Sequence, residues 1–526
     1  MNRILKSEKI AHICVVLLIL MAVPAFAWGQ KKTNAPAAPA QHSAPAQHSA
    51  PAQHSAPAQH SAPAQHSSTP SHTNTTSHGN TTAGHGNTTA GRGNTTAGHA
   101  NTTAGHGNTT AGNRGGSARQ PAGTRNVSLK GGGSASVRAN GSVRSIDRNG
   151  MHIEHGVHGG GRVVGEHNGA RVVNTGRHGG YVQRAYVTRG GHAYYSRTFY
   201  AGGRYHVGLY RGYGWGGHMY YGYYPGVWYH PGFYGWGWHP WGAPVYWGIG
   251  AWGWGGAPWW GFYGGWWNPY PVYAAPYYWL TDYLISQQLQ AAYAARAEAN
   301  ADAVAADAAA SGGDGGGGDA APAAAAGPVA LTPEVKEAIA QEVKAQLAAQ
   351  QAQAAQQGGG AQTASAAAAP ATSDNTPPPA LDPSQRTFVV DSDVTVVANG
   401  QECGLTSGDV ITRLTDTPDG DQNVNASVSA TKKGDCASGA TVAVKVDDLQ
   451  EMYNHFQENI TNGMGEMAKK QGTGGMPAAP DTGTQAGAVT PPPPDTTAAK
   501  TLQDQQAAAD QTESQVKQET AGGGGQ

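Results

Sequence analysis

Charge is missing from one long stretch of this chain. Between Arg211 and Asp282 lie 70 residues without a single Asp, Glu, Lys or Arg, so this stretch offers no ion pair and little repulsion between copies. Catalytic signatures are equally scarce. There is no HExxH, no nucleophile elbow, no CxxC and no paired-carboxylate context, which leaves helical metal sites, activated serines, redox-active cysteine pairs and glycosidase-type acid–base pairs unsupported. The composition therefore predicts a protein that is not an enzyme and has no obligatory cofactor.

Cysteine is the next shortage, with three in 526 residues. Cys14 lies in an N-terminal segment with a basic start (Arg3, Lys6, Lys9), an apolar run (Ile10 to Val23) and a small-x-small site at Ala25-Phe26-Ala27. That is the pattern of a secretory signal over residues 1–27. The cysteine sits within the run rather than just after it, which speaks against a lipoprotein anchor; the run is short for a membrane span, and an uncleaved membrane anchor is the alternative. The expected mature chain is extracytoplasmic, in the periplasm, on the outer-membrane surface or secreted, and has no transmembrane helix. Only Cys403 and Cys436 remain after cleavage, and in an oxidising compartment they are expected to pair.

What fills the uncharged stretch is aromatic. It holds 13 of the 14 tryptophans, and about two thirds of its positions are Gly, Trp, Tyr or Phe. The rings gain from burial, but ordering a Gly-rich backbone offsets much of that gain. The balance predicts a segment that collapses or associates without a unique tight core. Two readings stay open: a private core packed against its own chain, or contact with copies of itself, glycans or lipid headgroups.

A formal net charge of −1 hides a strong asymmetry. Residues 31–211 carry 18 Lys and Arg against three acids, a balance of +15, whereas residues 282–526 carry 12 against 30, a balance of −18. The two parts should attract each other. The basic part also suits an anionic surface such as lipopolysaccharide, acidic polysaccharide or extracellular nucleic acid, but no motif for sequence-specific nucleic-acid recognition accompanies it.

Residues 28–125 form a low-complexity arm of repeats whose Ala, Pro, Gly, Thr and Asn cannot build a core. A hexapeptide places His42, His48, His54, His60, His66, His72 and His78 six apart, and an Asn-Thr-Thr heptapeptide carries His85, His99 and His106. These ten imidazoles suit loosely bound Zn, Ni or Cu, although their spacing fixes no geometry, and a hydrophilic spacer explains the repeat as well. Residues 126–211 read as a basic antiparallel β-meander with Asn-Gly and Gly-Gly hairpin turns. Its apolar face is expected to lie under the aromatic segment. Within it, His152, Glu154, His155 and His158 cluster, as a metal site or a solvated hairpin edge.

Beyond the Gly/Trp/Tyr-rich segment 212–279, the pattern predicts a helix over 280–310 (Leu280, Leu284, Leu289, Tyr293, Arg296 on one face) and a linker over 311–330. A second helix over 331–350 is capped by Thr332, with a stripe of Val335, Ile339, Val343 and Leu347. A linker over 351–382 leads to a small β domain over 383–470. Its closing helix is expected to be capped by Asp447 and to bury Leu449, Met452, Phe456, Ile460, Met464 and Met467. The tail 471–526 reads as disordered. The fold class is thus mixed and largely disordered, with a meander, isolated helices and a small C-terminal α+β domain, β-barrel-like plus helix.

Two stretches, YHPGFYGWGWHPWGAPVYWG to YWLTDYLISQQLQAAYAAR and the LTPEVKEAIAQEVKAQLAAQ helix with the module after it, resemble a group of uncharacterised, secreted bacterial Gly/Tyr/Trp-rich envelope proteins. That resemblance implies location and no mechanism. GLTSGDVITRL, Gly404 to Leu414, is similar to the Gly-Leu-x-x-Gly-Asp-x-Ile turn and strand of PDZ domains, without an upstream carboxylate-binding loop. The expected function is a non-enzymatic cell-envelope or matrix-associated interaction protein that associates through its aromatic segment, with metal sequestration and carbohydrate binding as alternatives.

Overall fold

A computed structural model describes residues 121–157, 160–175, 179–201, 203–310, 331–357, 375–432 and 434–521. The signal segment and all ten arm histidines lie outside the described residues. The first ten strands form one antiparallel sheet in strict chain order: β1 (Arg125–Ser128), β2 (Ser134–Val137), β3 (Val143–Arg148), β4 (Met151–His155), β5 (Gly161–His167), β6 (Ala170–Asn174), β7 (Gly180–Arg189), β8 (His192–Ala201), β9 (Arg204–Trp215) and β10 (His218–Tyr224). Two of its hairpins turn at Asn149-Gly150 and Asn168-Gly169, where both residues take positive φ (53° and 73°, 50° and 70°). A two-residue hairpin of this twist requires that geometry, and Asn-Gly supplies it at least cost. The meander runs on to Tyr224 rather than ending at Arg211, so β9 and β10 draw on the uncharged stretch.

The rest of that stretch forms β11 (Val227–Tyr229), α1 (Pro231–Trp238), α2 (Ile249–Trp252) and α3 (Pro258–Tyr263), then enters the long helix α4 (Pro276–Ala310). Helix α5 (Pro333–Gln357) follows, with the Val335 N–H bonded to Thr332 Oγ1 at 3.3 Å as its cap. The C-terminal module holds β12 (Thr387–Val389), β13 (Val394–Ala398), β14 (Gln401–Leu405), β15 (Val410–Arg413), β16 (Asn423–Ala430) and β17 (Thr441–Lys445), closed by α6 (Val446–Lys470). Its six strands lie in the order β12-β15-β16-β17-β13-β14. Asp447 is not the cap of α6. The cap position is Lys445, and Asp447 and Asp448 sit in the first turn, where their charge complements the helix dipole.

The expectation of a disordered tail is overturned: β18 (Thr484–Ala486) pairs with β11, and α7 (Ala498–Ala521) packs on the meander. Ile146, Ile153 and Val163 stand opposite one another across β3, β4 and β5, and they bury against Ala509 and Val516 of α7. Val172 and Val182 do the same against Ala498 and Leu502. The apolar face of the meander is therefore covered by the tail and not by the aromatic segment.

That segment has other partners. Trp228, Trp247, Trp266, Trp267 and Trp279 share one core with Leu280 and Leu284 of α4, Ile339, Val343 and Leu347 of α5, and Ile460, Met464 and Met467 of α6. Each of its thirteen tryptophans is buried or half-buried. The rings stack or meet edge to face, as at Trp252 and Trp279 (4.5 Å) and Trp254 and Trp259 (5.5 Å). Exposed apolar side chains of the segment are Tyr246, Ile249, Phe262, Val272 and Val227.

Charge asymmetry is resolved within the chain. Arg138 and Arg144 of the basic part both pair with Glu402, Arg148 with Glu519, Arg162 with Asp448, Arg184 with Asp495 and Arg197 with Glu451. No helix among the described residues is long and apolar enough to cross a membrane.

Candidate binding cleft

Where the end of the meander, α5, α6 and the segment before β12 meet, a cleft of about 1150 Å³ opens. The β7–β8 hairpin brings Arg189, His192 and Tyr194, and β9 and β10 bring Arg211, Tyr213, Tyr223 and Tyr224. Helix α5 contributes the face of Gln346, Gln350 and Gln353, whose spacing of four and three keeps them on one side. The opposite wall is Pro377 to Gln385, and α6 supplies Tyr453 and Gln457. Trp228 also borders it.

This wall is held from behind. The Ala380 N–H donates to Gln450 Oε1 of α6 (3.1 Å), and the buried Arg413 guanidinium donates to the carbonyls of Asp382 (2.6 Å) and Gln385 (3.1 Å). The rings brace each other: Tyr194 meets Tyr224 edge to face at 5.0 Å, and Tyr224 meets Trp228 at 5.9 Å. Burial pushes the Tyr194 hydroxyl up to about 12 and those of Tyr223 and Tyr453 higher still. All three stay protonated at any physiological pH and remain donors.

Beneath the cleft, amides are joined head to tail. Gln350 Nε2 donates to Gln457 Oε1 (2.7 Å), Gln457 Nε2 to Gln346 Oε1, and Gln346 Nε2 to Glu342 Oε1 (2.9 Å) and to Gln385 Oε1. Burial raises the Glu342 carboxyl to about 7, against the Gln346 amide and the backbone N–H groups of Arg386 and Thr387. Four polar atoms in the cleft walls have no hydrogen-bond partner among the described residues: Arg189 Nε, Tyr224 OH, Trp228 Nε1 and Gln350 Oε1. All four are shielded from solvent, and the same holds for buried polar atoms elsewhere, as at Trp247, Trp266 and Trp279 of the aromatic core.

The residues singled out in the sequence do not converge on this place. His152 and Glu154 share a face of β4, but His152 Nδ1 lies 2.6 Å from Asp147 Oδ1, while His155 points to the other face and Glu513 (3.4 Å). His158 lies outside the described residues. Among the described residues no group of His, Cys, Asp and Glu is arranged to hold a metal ion. Cys403 and Cys436 are bonded, with Cα atoms 5.1 Å apart.

In GLTSGDVITRL the Asp409 carboxylate is buried. It accepts from the Thr406 N–H (2.7 Å) and pairs with Lys432 Nζ (2.9 Å). Ser407 Oγ donates to Gln288 Oε1 of α4 (3.1 Å), so this loop is docked against a helix. No family model, curated protein or solved structure matches the chain.

The sequence reading missed Arg189, Gln346, Gln350 and Gln457. The one signal available was the run AQLAAQQAQAAQQ, read as linker from residue 351. Its glutamines keep helical spacing through Gln357, where α5 ends.

Proposed function

We propose that the chain is an exported, non-enzymatic envelope or matrix-associated protein that holds an acidic polysaccharide in this cleft. The lining carries the reading, with Arg189, Tyr213, Tyr223 and the glutamines of α5 on one concave surface. A sugar polymer offers apolar C–H faces to rings such as Tyr213 and Tyr223, and hydroxyls that both donate and accept to amides. A uronate carboxylate suits the Arg189 guanidinium, whose planar fork matches it. The signal pattern at the N-terminus and the bonded Cys403 and Cys436 support an extracytoplasmic site.

Isothermal titration of the full chain with a galacturonate oligosaccharide tests this reading. One site per chain is expected, weakened about tenfold or more in Arg189→Gln and Tyr213→Ala, with weaker binding of the neutral methyl ester. Equal heats for all three proteins, or none, would refute it. Association between copies is the second reading, favoured by the 77% exposure of Tyr246 and by the exposure of Ile249, Phe262 and Val272 in the same segment. It requires that Tyr246→Ser with Phe262→Ser lower the sedimentation coefficient.

A further inference from the structure

The uncharged stretch ends at Asp282, and its own aromatic residues enclose that side chain. Asp282 is 0% exposed, and Lys336, in the first turn of α5, is 8% exposed. Tyr270 and Trp267 cover the Lys336 nitrogen, with ring centres 3.6 Å and 5.6 Å from Nζ. The two oxygens of Asp282 are held differently. Oδ2 accepts from the Tyr273 hydroxyl (2.7 Å) and the Tyr270 N–H (2.6 Å), and Tyr273 is itself fixed by the Trp252 indole N–H (3.1 Å). Oδ1 lies 2.7 Å from Lys336 Nζ but off the line of a hydrogen bond, and the hydrogen bond of Nζ goes to the Asn268 carbonyl (2.7 Å).

We infer that Lys336 and Asp282 are the two halves of a self-forming amide cross-link between α5 and α4, made by attack of the Lys336 amine on the Asp282 carboxyl carbon with loss of water. The ammonium first passes one proton to Oδ1, which leaves an amine beside a carboxylic acid. The Nζ lone pair then bonds to Cγ, and the charge that develops on Oδ2 falls where the Tyr273 O–H and the Tyr270 N–H already point, as in an oxyanion hole. Nζ, now positive, gives a second proton to Oδ1, the Cγ–Oδ1 bond breaks, and Oδ1 leaves as water. Oδ2 remains as the amide carbonyl. No oxidant, cofactor or second protein is consumed.

The enclosure favours each part of this step. A desolvated lysine is a nucleophile, and contact within one fold replaces a bimolecular encounter. Burial pushes the Asp282 carboxyl up and the Lys336 ammonium down, each against the opposing charge of its partner, and the first turn of a helix is the end that disfavours a cation. The other buried Lys–Asp pair lacks this arrangement. Asp409 Oδ1 accepts hydrogen bonds from both the Lys432 N–H (2.8 Å) and Nζ (2.9 Å), and Oδ2 accepts from the Thr406 N–H (2.7 Å) and hydroxyl (3.1 Å). There the lysine is committed to the oxygen lone pairs, whereas Lys336 is not. The amide would lock the aromatic core between two helices without using a cysteine, and it is independent of what the cleft binds.

Mass spectrometry of the freshly purified full chain, reduced and alkylated, tests this inference. The native protein should weigh one water less than its mapped sequence requires, and a chymotryptic digest should contain one branched peptide joining the Asp282 and Lys336 segments. Lys336→Arg, which keeps the charge, should have the full mass. Full mass in the native protein, or a water lost while Asp282 and Lys336 lie in separate linear peptides, overturns the cross-link; neither result depends on a variant folding. In newly synthesised protein sampled over time, Tyr273→Phe should form the branched peptide on the order of a hundredfold more slowly. Formation at the native rate overturns the role given to Tyr273.

Discussion

Arg197 and Glu451 form a two-pronged ion pair, Nη1 to Oε2 at 2.6 Å and Nη2 to Oε1 at 2.9 Å, that ties β8 of the basic meander to α6 of the acidic part. The guanidinium is 1% exposed and lies over the rings of Tyr210 (3.8 Å) and Tyr181 (4.3 Å), with Nε on Gln183 (2.7 Å). Glu451→Gln leaves this charge buried without its partner and should cost about 3–5 kcal/mol, read by urea unfolding at pH 7. Burial alone would raise the Glu451 pKa, but the charge and hydrogen bonds of Arg197 outweigh it and hold it low. Its folded pKa is below its unfolded one, so the stabilisation is complete above about pH 4.3 and lost as pH falls through the folded value. The variant should be less sensitive to acid over that window.

His206 behaves with the opposite sign. Its Nε2 lies 2.8 Å from Glu458 Oε1, and that hydrogen bond raises its pKa. Its contribution is complete below about pH 6.5 and lost as pH rises through the higher folded value. An NMR titration should place His206 above the ordinary range and return it to near 6.5 in Glu458→Gln.

Lys336 of α5 and Asp282 of α4 pair at 2.7 Å in an aromatic enclosure, with the Lys336 ammonium 3.6 Å from the Tyr270 ring centre. Asp282 also accepts from the Tyr273 hydroxyl (2.7 Å) and the Tyr270 N–H (2.6 Å). Lys336→Met should destabilise by about 3–5 kcal/mol, and adding Asp282→Asn should recover part of the loss. Strictly additive losses in a double-mutant cycle would mean the two charges are uncoupled.

Truncation before Ala498 should expose Ile146, Ile153, Val163, Val172 and Val182 of the meander. A rise in binding of a hydrophobic dye and a lower melting temperature are expected. An unchanged melting curve would mean that α7 does not stabilise the sheet.

This helix shows why part of the fold was illegible. Its buried positions are Ala498, Leu502, Gln505, Ala509, Thr512 and Val516, a regular four-three spacing filled mostly by small or polar residues. A hydrophobicity pattern cannot see such a stripe, and only the waiting apolar face of the meander makes it helical in place. By contrast, Asn149-Gly150, the Thr332 cap and the stripe from Leu449 to Met467 follow local rules, and all were readable. The aromatic segment has a defined core where ring burial set against backbone entropy predicts none, because the rings also pack on Leu284, Val343 and Met464. The cleft could not be read at all: Arg189, Trp228, Gln350 and Gln457 come together only through long-range packing.

Hydrogen–deuterium exchange of the full chain with and without a galacturonate oligosaccharide tests the central claim most directly. Protection should appear in residues 187–194, 209–213, 345–357 and 376–387 together, and should vanish in Arg189→Gln. Protection confined to the segments around Tyr246 or Phe262, or no change anywhere at saturating ligand, would contradict a glycan-binding cleft.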